Sequence, residues 1–417
     1  MSNSIKDNTR TTNIVVIGGS YGGIACINAL QQKIPKDSNV TITLIESRDA
    51  RYHCIASYRA LVQKDFVKNT WIPYTNLFPK DSPHKVVRGH VQHILHDHVL
   101  LEEAAGNPQR VDFNFLVIAT GSMIPAPAKF RVRSSTEGIK LMDKTREDVE
   151  QSSKIVVVGG GACGVELAGE IKYAHPTKSV TLIHDMPHLV DYPNFPQSFK
   201  DEAKRYLEKQ GVEVVLNERV EIDGLSRENS VQKADRTVKF KGSDRTIQSD
   251  LQFFSIGIQV DTSILSTLCP AESETKDSFD VETILVPRTR AIRVRPTLQL
   301  DHDAFPHIFA IGDISNADPV PTCMAAIAAG ETCARNLIKL IHKLPGDDKH
   351  GYHCRSRDAL EDYVPIRAQM VLAMNPTGGV SHLPIVGTWF GSAAAYLVKS
   401  GDLFTGRFWR EMNMARP

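Results

Sequence analysis

The sequence predicts an α/β chain, because one strand–turn–helix pattern occurs in it twice. A β-branched run, Ile14–Ile17, enters Gly18-Gly19-Ser20-Tyr21-Gly22-Gly23, and a second, Ile155–Val158, enters Gly159-Gly160-Gly161-Ala162-Cys163-Gly164. In each copy a helix of small residues follows. Such glycines let the backbone turn tightly, so that amide N–H groups and a helix N-terminus face a pyrophosphate. Two further apolar runs close on glycine turns, Phe113–Ala119 on Thr120-Gly121 and Leu251–Ile256 on Gly257. The fold class is therefore α/β: two Rossmann-like dinucleotide-binding domains and a small α+β C-terminal domain. Two such cradles in one chain suggest two dinucleotides held face to face for hydride transfer.

The elements follow in order. Strand Ile14–Ile17 leads to a helix near Ile24–Ile34, and strand Val40–Ile45 ends on Glu46. Strand Ile155–Val158, helix Cys163–Ala174 and strand Val180–Ile183 repeat the plan and end on His184 and Asp185. A helix over Ser198–Gln210 has helical apolar spacing and is stopped by Gly211; strand Val212–Leu216 comes next. His307–Gly312 is a buried strand ending on Asp313, and a small-residue helix spans Thr322–His342. The first domain is thus discontinuous, formed by residues 1–125 and 290–342. Residues 126–289 are inserted as the second domain, with Pro125, Pro127, Pro287 and Pro296 at the crossings. Residues 343–417 form the third. In it, Pro365–Met374 and Val380–Leu383 read as strands about the turn Asn375–Gly379. Its tail is amphipathic: Trp389–Val398 is apolar, and Phe404, Phe408 and Trp409 stand among Lys399, Arg407 and Arg410.

Composition narrows the function classes. The 417 residues suit two or three domains. A net charge of +1 with scattered Lys and Arg gives no electrostatic footprint for nucleic acid. The polar stretch Met1–Thr12 is no secretory signal, Ser2 excludes N-myristoylation, and no apolar run is long enough to span a bilayer. The seven cysteines form no CxxC or CxxxxC pair. That argues for reduced thiols in the cytoplasm and against a disulfide reductase, which needs two neighbouring redox thiols. No His/Cys/Asp/Glu grouping has metal spacing, and no Gly-x-Ser-x-Gly elbow occurs.

Each chemical candidate has a functional and a structural reading. Glu46, at its strand end, suits ribose hydroxyls; the alternative is a solvated strand-edge carboxylate. His184 aligns with Glu46 and removes the carboxylate that would repel a 2′-phosphate, so NADH and NADPH are both expected; the alternative is an exposed strand-end residue. Asp313 suits a ribityl or pyrophosphate group, or forms a turn. Glu166, on the first turn of the second helix, positions a nicotinamide or handles a proton, or it only favours the helix dipole. His53, in a loop with Tyr52 and Arg59, relays a proton or is a satisfied loop histidine.

The two glycine turns with Ala119-Thr120-Gly121 and Ile311-Gly312-Asp313 resemble the two-dinucleotide-domain flavoproteins of the pyridine nucleotide–disulfide oxidoreductase class. The run Gly159–Glu170 with Val180–His184 is similar to the apoptosis-inducing-factor-like branch. The resemblance implies tightly bound, non-covalent FAD, oxidation of NADH or NADPH, and electron delivery to a quinone-like or other small acceptor. It implies that Gly18, Gly19, Ser20, Tyr21, Gly22, Gly23, Arg59, Val91 and Asp313 contact FAD, along with Glu46, Thr120 and Gly121. Gly159, Gly161, Gly164, His184 and Gly257 would hold the pyridine nucleotide, with Glu166 as the acidic residue near the nicotinamide–flavin contact and His53 handling a proton. Met370, Leu372, Met374 and the tail would line access for the acceptor, with peripheral membrane contact. Ser20 and Ser2 stand where the family has glycines, and Tyr52-His53-Cys54 replaces a His-His-Asn loop. The alternatives are a signalling protein that reads flavin state and a biosynthetic flavin oxidoreductase.

Overall fold

The structure, a computed structural model, describes residues 11–102, 108–221, 229–270, 279–341, 360–384, 387–388 and 391–417. The readings made on Ser2, His342, Cys354 and Trp389 lie outside these residues. The chain divides into two compact units. One comprises Met1–Asp49, Tyr74–Ser122 and Gln259–Ile366; the other comprises Ala50–Pro73, Met123–Ile258 and Arg367–Pro417.

The first unit is built on a five-stranded parallel sheet. Its strands run in the order Ile308–Ala310, Phe115–Ile118, Thr12–Ile17, Val40–Glu46, Lys85–Arg88. The strand Thr12–Ile17 is central, so Ile14 to Ile17 are buried, as a parallel strand covered on both faces requires. The helix Tyr21–Lys33 packs against the helix Cys323–Ile341. A Cβ on Gly330 would stand 2.3 Å from the Gly22 carbonyl, so the crossing depends on small residues. A three-stranded antiparallel sheet, Val91–Ile94, His98–Leu101 and Arg110–Asp112, completes the unit.

The second unit repeats the scheme. Its sheet runs Glu213–Val215, Ser179–Ile183, Lys154–Val158, Thr246–Phe254, Val231–Lys239, parallel except for the last strand. The antiparallel partner Val231–Lys239 and the helix Ser135–Gln151 carry no signal used in the sequence reading. Gly211 caps the helix Gln197–Gln210 in the left-handed conformation, φ +90°. The hairpin is shorter than its apolar run: strands Met370–Asn375 and Gly378–His382 pair antiparallel.

The sequence predicts a first domain unbroken to residue 125 and a separate domain over residues 343–417. In the structure Ala50–Pro73 and Arg367–Pro417 both belong to the second unit. The cause is burial at long range. Tyr52 and Trp71, on the paired strands Ala50–Tyr52 and Trp71–Pro73, enter the same apolar core as Phe130, Met142, Leu372 and Met374. Among the described residues no helix is long and apolar enough to cross a membrane.

Candidate functional site: two glycine cradles

The two turns have the same backbone construction. Gly18 and Gly159 have φ of +101° and +113°, where an L side chain is strained. Gly18 N–H donates to the Ile45 carbonyl at 2.9 Å, and Gly159 N–H to Ile183 at 2.8 Å. A Cβ on Gly23 would lie 2.0 Å from the Gly18 carbonyl oxygen, and one on Gly164 would lie 1.9 Å from that of Gly159. Ser20 and Gly161 occupy the N-cap positions of the helices Tyr21–Lys33 and Ala162–Ala174. Gly121 and Gly257, with φ of +70° and +78°, turn the neighbouring strands. Each helix therefore begins on a turn of glycines, with the small Ser20 at the first N-cap, that leaves room for an anion at its N-terminus.

In the first unit, Glu46 is buried and faces this turn. Its Oε2 accepts the Gly19 N–H at 2.7 Å and its Oε1 accepts the Arg48 N–H at 3.0 Å. Oε1 also accepts the Ser47 hydroxyl at 3.2 Å, whereas Oε2 keeps a second lone-pair site that can accept a ribose hydroxyl. Tyr74 donates its hydroxyl to the Gly19 carbonyl at 2.8 Å, which holds the turn. Ser122 Oγ donates to Asp313 Oδ2 at 2.6 Å, joining the ends of two adjacent strands. Val91 is buried at the start of its strand. These residues fit the diphosphate and ribose of a dinucleotide: backbone donors at a helix start, with carboxylates at strand ends.

In the second unit the corresponding turn opens on a cavity of about 380 Å³. Gly159, Gly160, Gly161, His184, Asp185, Tyr192, Glu218, Arg219 and Gly257 are among its walls. His184 takes the place of Glu46, and its ring lies over Gly160, 2.7 Å from where a Cβ would be. Burial pushes the imidazole below its usual range, so it carries no charge at neutral pH. Cys163 also lines the cavity. Burial pushes its thiol up to about 11, so it is not a ready nucleophile.

A polar cluster lies elsewhere in the second unit. Glu166 Oε1 accepts the Ala373 N–H at 2.8 Å and the Lys399 ammonium at 2.5 Å. Lys399 also donates to the Val371 carbonyl at 3.0 Å. Arg59 is fully buried and grips Glu170 with Nε and Nη2, at 2.6 to 2.9 Å. Its Nη2 donates to the Ser400 carbonyl at 3.1 Å. Burial pushes the Glu170 carboxyl up against the pull of Arg59. His53 is fully buried, donates Nε2–H to the Leu403 carbonyl at 2.7 Å, and is pushed down to about 3 by burial. A neutral imidazole fixed in this way is a poor proton relay near pH 7. Leu372 and Met374 are sealed in the core, where the Met374 carbonyl would stand 2.6 Å from a Cβ on Gly169. Met370, by contrast, is only half-buried.

Comparison with known proteins matches this architecture. The family described as pyridine nucleotide-disulphide oxidoreductase matches residues 12–333. The chain belongs to this family. Its members are oxidoreductases that use a flavin and a pyridine nucleotide, and the chain is one of them. The human ferroptosis suppressor protein 1 is 29% identical over the full length of both chains. Apoptosis-inducing factor homolog B of Dictyostelium discoideum is 27% identical over 97% of each. Among solved structures, NDH2 of Plasmodium falciparum with NADH shares the fold at TM-score 0.66 and 14% identity, over 98% of this chain and 99% of that one. The sulfide:quinone oxidoreductase of Aquifex aeolicus does so at TM-score 0.66 and 16% identity, over 97% and 92%.

Within this oxidoreductase, the structure gathers Gly18 to Gly23, Glu46, Thr120, Gly121 and Asp313 around one turn. It gathers Gly159, Gly161, Gly164, His184 and Gly257 around the other. Glu166, Arg59 and His53 are not wall residues and are held by partners of their own, but Glu166 is within electrostatic reach of Cys163 and Tyr192 on the wall. Sequence reasoning did not single out Arg219 on the cavity wall, Lys399 on Glu166 or Glu170 on Arg59. Lys399 and Glu166 are 233 residues apart, and nothing local in the chain announces such a pair. Arg219 follows the strand Glu213–Val215 and reaches the cavity rim through that strand's pairing with Ser179–Ile183, which the sequence does not display.

Proposed function

We propose that this protein oxidises NADH or NADPH with tightly bound, non-covalent FAD and passes the electrons to a small quinone-like acceptor. The observation that carries this reading is the repetition of one turn geometry in both units, which suits two dinucleotides rather than one. FAD is assigned to the first cradle, held by Gly18 to Gly23, Glu46, Val91, Thr120, Gly121 and Asp313. The pyridine nucleotide is assigned to the second, on Gly159, Gly161, Gly164, His184 and Gly257. When bound, FAD would supply the chemistry of hydride acceptance at N5 from nicotinamide C4 and of onward electron transfer. The chain supplies binding and orientation: turn amides and helix N-termini for the phosphates, and strand-end carboxylates for the hydroxyls. Glu166, fixed by Lys399 and Ala373, is assigned to positioning the nicotinamide end. His53 and Arg59 act as supports of the fold around it.

Two observations favour a quinone-like acceptor. The sequence has no closely spaced cysteine pair to receive electrons. Tyr396, Leu397 and Val398 lie exposed in succession beside Lys399, with Leu397 81% exposed, a surface suited to lipid, where quinones reside. The likeness to NDH2 and to a sulfide:quinone oxidoreductase agrees with this.

The test is an absorbance spectrum of purified protein, anaerobic addition of NADH, and then an acceptor screen. A flavin band bleached by NADH and restored by a quinone analogue supports the reading. A colourless protein that FAD cannot reconstitute overturns it. Leu397→Glu should lower flotation with lipid vesicles while leaving dye reduction unchanged; equal flotation would remove the lipid contact from the reading.

A further inference from the structure

We propose that Arg219 is the residue that admits a phosphate on the 2′-position of the adenosine ribose, and so sets the choice between NADPH and NADH. The inference rests on the second cradle being a pyridine-nucleotide site. It adds a specificity residue that the glycine pattern does not contain.

The argument starts from the internal repeat. The bonds Gly18 to Ile45 and Gly159 to Ile183 set Glu46 and His184 in equivalent places. In the first cradle that place holds a carboxylate bound to the turn amide of Gly19. A carboxylate there takes ribose hydroxyls and repels an added phosphate. In the second cradle the same place holds an imidazole, which offers neither that repulsion nor a full positive charge. Discrimination must therefore come from the neighbouring wall.

That wall is tied to His184 by backbone. His184 N–H donates to the Val215 carbonyl at 2.8 Å, and Glu218 N–H donates back to the His184 carbonyl at 3.1 Å. Arg219 follows directly, and its own carbonyl accepts the Lys241 N–H at 2.7 Å, so its backbone is anchored on both sides. Among the described residues that line the cavity, Arg219 is the only lysine or arginine. Its side chain is exposed and has no ion pair among the described residues. A guanidinium without an ion pair among the described residues, at the rim of this cavity, matches the fork geometry of a phosphate monoester. Its removal would leave Asp185 and Glu218 as the charged groups on that wall, and both repel a dianion.

The experiment measures binding of adenosine 2′,5′-bisphosphate and adenosine 5′-monophosphate to the purified full chain by calorimetry. The two probes differ only in the 2′-phosphate. Wild type should bind both. Arg219→Gln should weaken the bisphosphate by about tenfold or more and the monophosphate by less than about twofold, and Arg219→Lys should fall between. Retained monophosphate binding shows that the variant is folded. The kcat/KM ratio of NADPH to NADH should fall in parallel. Equal weakening of both probes by Arg219→Gln would overturn the assignment, and so would a wild type that binds the monophosphate but not the bisphosphate. A wild type that binds neither would instead overturn the pyridine-nucleotide reading of the cradle, and this proposal with it.

Discussion

Lys399 Nζ stands 2.5 Å from Oε1 of Glu166, and the same oxygen holds the Ala373 amide. Both side chains are nearly nine-tenths buried, so each charge depends on the other. Glu166→Gln keeps an acceptor for Ala373 but leaves an ammonium poorly compensated. It should destabilise the protein by roughly 3 kcal/mol, and Lys399→Met by a similar amount. The double variant should lose less than the sum, with a coupling of at least about 1 kcal/mol in urea unfolding. Additive losses would show that the pair does not act as a unit.

The two cradles should fail separately. In Gly23→Ala the added methyl would sit 2.0 Å from the Gly18 carbonyl, and in Gly164→Ala 1.9 Å from that of Gly159. Neither turn can accept it without opening. Gly23→Ala should purify without flavin absorbance. Gly164→Ala should keep the flavin band but no longer be bleached by NADH. A Gly164→Ala protein reduced at the wild-type rate would contradict the assignment of nucleotides to turns.

His53 should make the protein acid-sensitive. Its pKa is about 3 in the folded state, pushed down first by burial, partly opposed by its bond to Leu403, and lowered further by Arg51 and Lys399. Unfolded, it returns to its ordinary value of 6.5. The unfolded chain therefore binds the proton more readily, and this site subtracts stability as pH falls from about 6.5 toward 3. At pH 5 the loss is about 2 kcal/mol relative to neutral pH. His53→Gln should flatten this part of the pH–stability curve even if it is less stable at pH 7. An unchanged slope would show that the imidazole is not buried neutral.

Arg59 and Glu170 offer a test of role. The family resemblance assigns Arg59 to flavin contact, whereas the structure has its guanidinium gripping Glu170. Arg59→Met should cost about 3–5 kcal/mol because it strands a buried carboxylate, and Arg59→Met with Glu170→Leu should recover much of that loss. Flavin content should return with stability in the double variant. Flavin lost in both variants, despite restored stability, would favour direct contact.

The repeated turn was legible because its cause is local. A β-branched run followed by glycines and small residues reads the same wherever it stands, and the equivalence of Glu46 and His184 followed from their place at the end of the second strand of each copy. Tyr52 and Trp71 were misplaced for the opposite reason. Each is a single aromatic on a three-residue strand, and its apolar partners are supplied by distant segments. Leu372 and Met374 had the apolar character of an access route, but their burial depends on Gly169, whose missing side chain lets the hairpin close on the helix Ala162–Ala174.

The sequence by itself determined two parallel-sheet nucleotide cradles and the residue types on their turns, because backbone sterics and strand periodicity act over a few residues. Only the tertiary structure decided that Lys399 answers Glu166, that Glu170 claims Arg59, that His53 is sealed from water and that Arg219 faces the second cradle. Those outcomes depend on which distant side chains share a buried volume, and charge pairing and desolvation are set there rather than along the chain.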